Sequence, residues 1–299
     1  MSDAEAREAF KVIRWSENGG SPFCPSCGGI HIYSYASRPI FKCKDCSHQF
    51  SVTSGTIFAS RKLPVRDYLL AIAIFCNGAK GHSALQLSRD LDCQYKTAFV
   101  LAHKLREAVA AEDKGEIVGG EVEIDGGYFG GYVKPANLKE NRRDRRQAVN
   151  QTGKRRVVIV MRERKGRTVT FVSKREDTAV PAVRQRIARG STVYADEANH
   201  WDVLDVRFKT KRINHSEAYS ANGASTNMAE SYFSRLRRAE IGTHHHIAGP
   251  YLASYAAEMD WREDRRRVSN GEQYLAIITA ALHHPVSQQW KGYWQRARH

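Results

Sequence analysis

The sequence predicts a mixed α/β (α+β) protein in which a cysteine ribbon and a helical segment precede a mixed-sheet domain. Three observations carry this reading. Cys24-Pro-Ser-Cys27 and Cys43-Lys-Asp-Cys46 form two Cys-x2-Cys pairs, a spacing that builds small zinc-bound β units. From Leu63 to Ala111 apolar residues recur at helical spacing. From residue 116 onward, short β-branched runs alternate with helical patterns, and acids stand at the ends of two strands.

Composition bounds what such a chain can do. With 299 residues and 41% hydrophobic content, it is long enough for two or three domains with real cores. Its 47 Lys and Arg against 32 acids leave a net charge of +15, which points to a polyanionic partner. No run approaches the ~18 apolar residues needed to span a bilayer, and the polar, acidic start MSDAEAREAF is unlike a signal peptide. A cytoplasmic location, on DNA, is expected, and there cysteines bind metal more often than they form disulfides. The expected organisation is an N-terminal extension (1–19), a zinc ribbon (20–60), a helix-turn-helix-like segment (61–115), a mixed-sheet domain (116–270) and a C-terminal helix with a basic-aromatic tail (271–299).

In the ribbon, Cys24, Cys27, Cys43 and Cys46 supply the four thiolates that satisfy one tetrahedral, structural Zn²⁺. HIYSYASRPIFKC reads as a β-hairpin and HQFSVTSGTIF as a third strand. In the helical segment, one helix stops at Asn77-Gly78, Ser83 caps a short second one, and Asp92-Cys93 turns into a longer third. The third helix opens with Gln94, Lys96 and Thr97, as a DNA-reading helix would. A plain helical linker is the other reading, since the turn lacks the usual glycine.

The next strand, EVEID, ends on Asp125 before Gly126-Gly127. Residues 141–156 then carry Arg142, Arg143, Arg145, Arg146, Lys154, Arg155 and Arg156 against Asp144, a sum of 7 − 1 = +6. Like charges this dense favour a mobile loop until phosphates neutralise them. VVIVMRER and RTVTFVS form a hairpin, and a helix runs from Asp177 to Arg189. A buried strand then ends on Asp196, VRFKTKRIN forms a further strand, and a helix begins at Asn227. That helix has an apolar stripe of Met228, Ala229, Tyr232, Phe233 and Leu236, while Glu230, Asn227, Ser234 and Arg237 share the other side. Glu121 and Glu123 alternate with apolar residues and read as solvent-facing, with Glu123 also placeable near the site.

Strand with acid, hairpin, helix, strand with acid, strand, helix with acid is the plan of an RNase H-like domain. EVEIDGGYFGG, VYADE, INHSEAY and NMAESYFSRLRRAEIGTHHH, taken in that order, resemble the ISXO-like DDE transposases of bacterial insertion sequences, in which a zinc ribbon precedes the catalytic domain. The resemblance runs from Pro22 to about Asn270. It implies that Asp125, Asp196 and Glu230 are the DDE carboxylates and hold two divalent ions, Mg²⁺ or Mn²⁺. It also implies that Asn227 is a supporting residue. The family usually has an acid where Gly126 stands, so one possible helper carboxylate is missing. At Asp264 the family tends to carry an asparagine, and no role is transferred to it.

The triple His244-His245-His246 is expected in a loop near the site, with His245 a phosphate or DNA contact. In the C-terminal segment, Leu252, Tyr255, Ala256 and Met259 are expected inward and Arg262, Arg265 and Arg266 outward. EQYLAIITAAL is expected to close the catalytic domain, and Trp290, Tyr293 and Trp294 either stack on nucleic acid or dock on protein. The expected function is that of a transposase that binds terminal inverted repeats of double-stranded DNA, cleaves the ends and transfers them to target DNA, as a dimer at least. A DNA-binding regulator with an inactive catalytic domain and a nuclease that cuts without joining are the rivals.

Overall fold

A computed structural model describes residues 1–112, 115–131, 134–144, 147–150, 152–213 and 225–296. In chain order the elements are α1 (Asp3–Arg14), β1 (Ile32–Ser34), β2 (Phe41–Cys43), β3 (Gln49–Phe50), α2 (Val65–Asn77), α3 (Ala84–Asp90) and α4 (Tyr95–Glu112). There follow β4 (Glu121–Phe129), β5 (Arg156–Glu163), β6 (Thr168–Ser173), α5 (Val180–Arg186), β7 (Thr192–Asp196), β8 (Lys209–Ile213), α6 (Asn227–Ala239), α7 (Leu252–Asp264) and α8 (Asn270–His283). They fall into two compact units, one of Met1–Glu112 with Val268–His299 and one of Asp113–Arg267. Among the described residues no helix is long and apolar enough to cross a membrane.

In the first unit, β1, β2 and β3 form an antiparallel sheet, as the ribbon reading expects. The preceding segment is more than an extension. Ser2 and Glu5 close a capping box at the start of α1, and Trp15 is buried edge-on against Phe23, Phe41 and Phe50. Arg14 donates to the carbonyls of Ser51, Val52 and Ser54, so α1 is fastened to the chain just after β3. Ser83 caps α3 through the Gln86 N–H. Asp92 takes the left-handed conformation, with φ of 45°, between α3 and α4, a role its short polar side chain tolerates without a glycine.

The expectation for EQYLAIITAAL is overturned: α8 packs on α1, α2 and α4 and belongs to the first unit. Its buried residues Ile277, Ile278, Ala281 and Leu282 cover the apolar sides of those helices, which a sequence pattern marks as apolar without naming the partner. The tail docks as well. Trp290 is buried, stacked on His103 at 4.2 Å and edge-on to Phe99, and Trp294 Nε1 donates to the Lys96 carbonyl.

The second unit is a five-stranded mixed sheet of order β6-β5-β4-β7-β8, the RNase H-like plan. β4, β5 and β6 are antiparallel, whereas β7 and β8 run parallel to β4. One face packs Val122, Ile124, Ile159, Met161, Val193 and Ala195 against Val180 and Val183 of α5 and against Trp201. The other packs Phe129, Val158 and Val160 against Ala229, Tyr232, Phe233 and Leu236 of α6 and against α7. Each such buried aliphatic side chain contributes about 1.5–3 kcal/mol. α5 ends at Arg186, short of the expected Arg189, because Ile187 turns extended to bridge Val118.

The expected outward position of Arg262 is also overturned. Arg262 is buried and donates twice to Glu258, while Glu263 pairs with buried Arg162 at 2.7 Å and with Arg235. Asp264 accepts from the Thr168 N–H at the start of β6. Charges enter this interface because each meets an opposite charge, Glu258 on the same helix for Arg262 and Arg162 of β5 with Arg235 of α6 for Glu263, and mutual pairing removes the cost of burying them alone.

Candidate active site and zinc centre

β4 and β7 place the two aspartates. Their parallel pairing ends at Glu123 opposite Tyr194; Asp125 and Asp196 each lie two positions further on. Asp196 ends β7, whereas β4 does not end on Asp125 as expected but runs on through Gly126 and Gly127 to Phe129, because β5 continues to pair with it. Since side chains alternate along a strand, both aspartates point to the face of Glu123, which is the face that α6 covers. Gly127 lies on that face too, and a Cβ there would come within 2.4–3.0 Å of the Phe233 ring. Even a methyl would push α6, and Glu230 with it, away from the sheet. On α6, Ala229, Tyr232, Phe233 and Leu236 are buried, Glu230 is half-buried, and Asn227 and Arg237 are exposed. Arg237 lies over the Phe129 ring at 5.7 Å.

Electrostatics ties the acids together. The Asp125 carboxyl is pushed up to about 7, first by burial and then by the charges of Asp196, Glu176 and Glu230, against a favourable bond from the Gly126 N–H. Glu176 is pushed up to about 7 by burial and by Asp196. Hard oxygen donors crowded this way suit a divalent ion that prefers oxygen. Among the described residues the cysteine quartet is the one group of three or more metal-binding side chains with ligand atoms all within 4.8 Å of one another, so the carboxylates influence one another without forming a closed set.

The pH consequence follows from the direction of the Asp125 shift. A carboxyl that titrates near 7 when folded, against an ordinary 3.8, binds its proton more tightly in the folded chain. Its contribution to stability is therefore full below the ordinary value and is lost as pH rises through about 7. In metal-free buffer with chelator, Asp125→Asn should be more stable than wild type at alkaline pH by roughly 4 kcal/mol, a tenfold change in proton affinity being worth about 1.4 kcal/mol. The difference should vanish in acid. Equal denaturation midpoints at both extremes would show Asp125 to be solvated.

Glu123 does not face solvent, as its alternation with Val122 and Ile124 suggested. It is 1% exposed; its Oε2 accepts from the Met228 and Ala229 N–H groups and its Oε1 from Arg164 Nε at 3.0 Å. Thr226, at the N-cap of α6, makes no side-chain cap, so β4 supplies the anion that the helix N-terminus needs. Glu123 thereby fixes the end of α6 that carries Glu230. Glu123→Gln should cost about 2 kcal/mol, as expected for weakening charged hydrogen bonds in a buried site, and should lower turnover while leaving DNA binding intact. Unchanged urea stability would refute this positioning role. The alternation in the sequence held no signal for it, because the partners lie 105 and 106 positions away.

Three of the seven expected basic contacts are exposed. Arg142, Arg143 and Lys154 are exposed, whereas Arg155 stacks over Tyr128 at 4.4 Å and Arg156 donates to the Gly153 and Arg155 carbonyls. Arg145 and Arg146 lie outside the described residues, as does INHSEAY beyond Ile213. His245 is exposed with φ of 59°. It is His246, with Lys154, Arg156, Gly130 and Gly131, that lines a groove. In the first unit Gln94 and Lys96 are exposed and Thr97 half-buried at the start of α4.

The cysteine quartet is closed. Cys24 Sγ lies 3.5 Å from Cys46 Sγ, and Cys27 Sγ lies 3.7 Å from Cys43 Sγ. Four thiolates about 2.3 Å from one zinc stand about 3.8 Å apart, so the donor set and its spacing fit that ion. Cys76 is buried in α2, and its thiol donates to the Asn270 carbonyl.

Residues 117–264 match the model of the ISXO2-like transposase domain, and residues 1–49 match the transposase zinc-ribbon domain. The chain belongs to the ISXO2-like transposase family. Its relatives include an uncharacterized protein in transposable element ISH50 of Halobacterium salinarum, 27% identical over 94% of this chain and 98% of the relative. An uncharacterized transposase-like protein of Haemophilus influenzae is 27% identical over 34% of this chain and 84% of its own length. No solved structure matches the chain. The transposase-domain match contains the strands and the helix that carry Asp125, Asp196 and Glu230, and the ribbon match contains all four cysteines.

Proposed function

We propose that this transposase binds the terminal inverted repeats of its insertion sequence, cleaves the DNA at the element's ends and joins the freed 3′ ends to target DNA. The observation that carries this reading is the convergence of Asp125, Asp196 and Glu230, from β4, β7 and α6, where the inner strands β4 and β7 part inside the transposase domain. A binding protein has no need to crowd three acids around a buried carboxyl, which costs stability. When bound, two Mg²⁺ or Mn²⁺ ions would lower the pKa of the attacking water or 3′-hydroxyl and neutralise charge on the leaving oxygen.

The protein's own part is to hold and orient. Asp125, Asp196 and Glu230 hold the ions, Glu123 keeps α6 in place, and Asn227 orients a ligand or phosphate beside Glu230. Arg237 and the exposed cations of 141–156 grip phosphates, which sets register without reading bases. The zinc ribbon and the α3–α4 pair, with Gln94, Lys96 and Thr97 at the start of α4, recognise the ends. Holding two ends together requires at least a dimer on DNA, working in the cytoplasm.

The test is a joining assay with pre-cut, labelled ends, a plasmid target and Mg²⁺ or Mn²⁺. Formation of end–plasmid products supports transposition. Cleavage of uncut ends without any joining identifies a nuclease, and end binding without either reaction identifies a regulator.

A further inference from the structure

We propose that Glu176 is a fourth carboxylate ligand of the divalent-ion site, entering from the face of the sheet opposite Glu230. The proposal rests on the metal-site reading above and extends it to a residue beyond the Asp125, Asp196 and Glu230 set. Three features of the molecule support it.

The first is space. Gly126 follows Asp125 and points to the opposite face of β4, and a Cβ there would stand 2.6 Å from both Cδ and Oε1 of Glu176. Gly126 is not among the glycines of positive φ, so room for this carboxylate, rather than backbone freedom, is what its lack of a side chain provides. The Glu176 carboxylate thus lies against the backbone of the residue next to Asp125.

The second is access. The pairing of β4 with β7 ends at Glu123 and Tyr194. Beyond that point β4 and β7, which carry Asp125 and Asp196, are no longer bridged to each other, and a group on the α5 face can reach the gap between them. Glu176 precedes the helical turn Asp177–Ala179 that leads into α5, and it comes from none of the three elements that carry the other acids.

The third is the absence of a structural duty that would account for it. Glu176 stands at the N-cap of its turn yet makes no side-chain cap. His200 Nε2 approaches Glu176 Oε2 at 3.2 Å, from the segment Asn199–Val206 just after Asp196. A surface ion pair would be satisfied farther from Asp125 and Asp196, where no like charge opposes it. Held between the Gly126 backbone and His200, the carboxylate is instead kept facing two acids, an arrangement that a shared cation makes favourable.

Mn²⁺ binding to the full-length protein, followed by electron paramagnetic resonance without DNA, tests this apart from catalysis. Glu176→Gln keeps the shape and removes the charge, and it should weaken Mn²⁺ at least about tenfold, the scale on which groups supporting a metal act. Asp177→Asn makes the same charge change one residue on, at an acid paired with Arg175, and should leave affinity unchanged. Wild-type affinity in Glu176→Gln, with a loss in Asp196→Asn, overturns the proposal and leaves the DDE reading standing. Equal weakening by Asp177→Asn also overturns it, by reducing the effect to a general field. No loss in Asp196→Asn or Asp125→Asn removes the metal-site reading and this inference with it.

Discussion

Replacing Asp196 by Asn, or Glu230 by Gln, should abolish Mg²⁺- and Mn²⁺-dependent cleavage and joining while end-DNA binding persists. Either change keeps the shape and most hydrogen bonding of the side chain but removes the negative charge that a hard cation demands. The expected loss in rate is on the order of a thousandfold or more, the scale of removing metal-assisted charge stabilisation. Neither residue is needed to hold the fold: Asp196 ends β7, and Glu230 faces away from the buried side of α6. Asn227→Ala should be milder, since a neutral amide orients without neutralising charge. Gel shifts with element ends, run beside cleavage assays, check both halves. Carboxylate variants that cut at wild-type rate would refute the assignment. Loss of binding together with loss of cutting would show that the second unit supplies the main DNA grip.

Cys43→Ser should release the zinc and unfold the ribbon. Cys43 is fully buried at the end of β2, and its Sγ belongs to a quartet closed to within 4.8 Å. In small zinc domains the metal's binding free energy, about 10–16 kcal/mol, is folding free energy. The few short strands of the ribbon and the aromatic set of Trp15, Phe23, Phe41 and Phe50 are a small core to stand without it. Elemental analysis should find about one zinc per chain in wild type, as a single four-thiolate site requires, and less in the variant. Trp15 should become exposed to quencher, and affinity for element ends should fall. Protein purified without chelator that carries no zinc would sink this prediction.

Local rules made much of the molecule legible. The Cys-x2-Cys pairs announced the zinc centre because ligand spacing is a property of a tight turn. The strands bearing Asp125 and Asp196, and the two-faced helix bearing Glu230, were legible because periods of 2.0 and 3.6 are written into the chain. The roles of Glu123 and Arg262 were misread by the same logic. Alternation in β4 and amphipathicity in α7 mark polar positions as outward, and a charge moves inward only when a partner inside the fold receives it. For Glu123 that partner is the N-terminus of α6; for Arg262 it is Glu258 one turn back, inside an interface whose other charges come from β5 and α6.

The sequence by itself determined the element types, the zinc ligand set and the order of the three acids, because each depends on neighbours a few positions apart. Only the tertiary structure decided that α8 returns to the first unit and that Glu123 holds α6. It alone brought Glu176 against Gly126, 50 positions earlier in the chain. Those outcomes are contacts between distant segments. Their energies depend on which apolar faces meet and which charges are paired once water is excluded, and no local pattern encodes that.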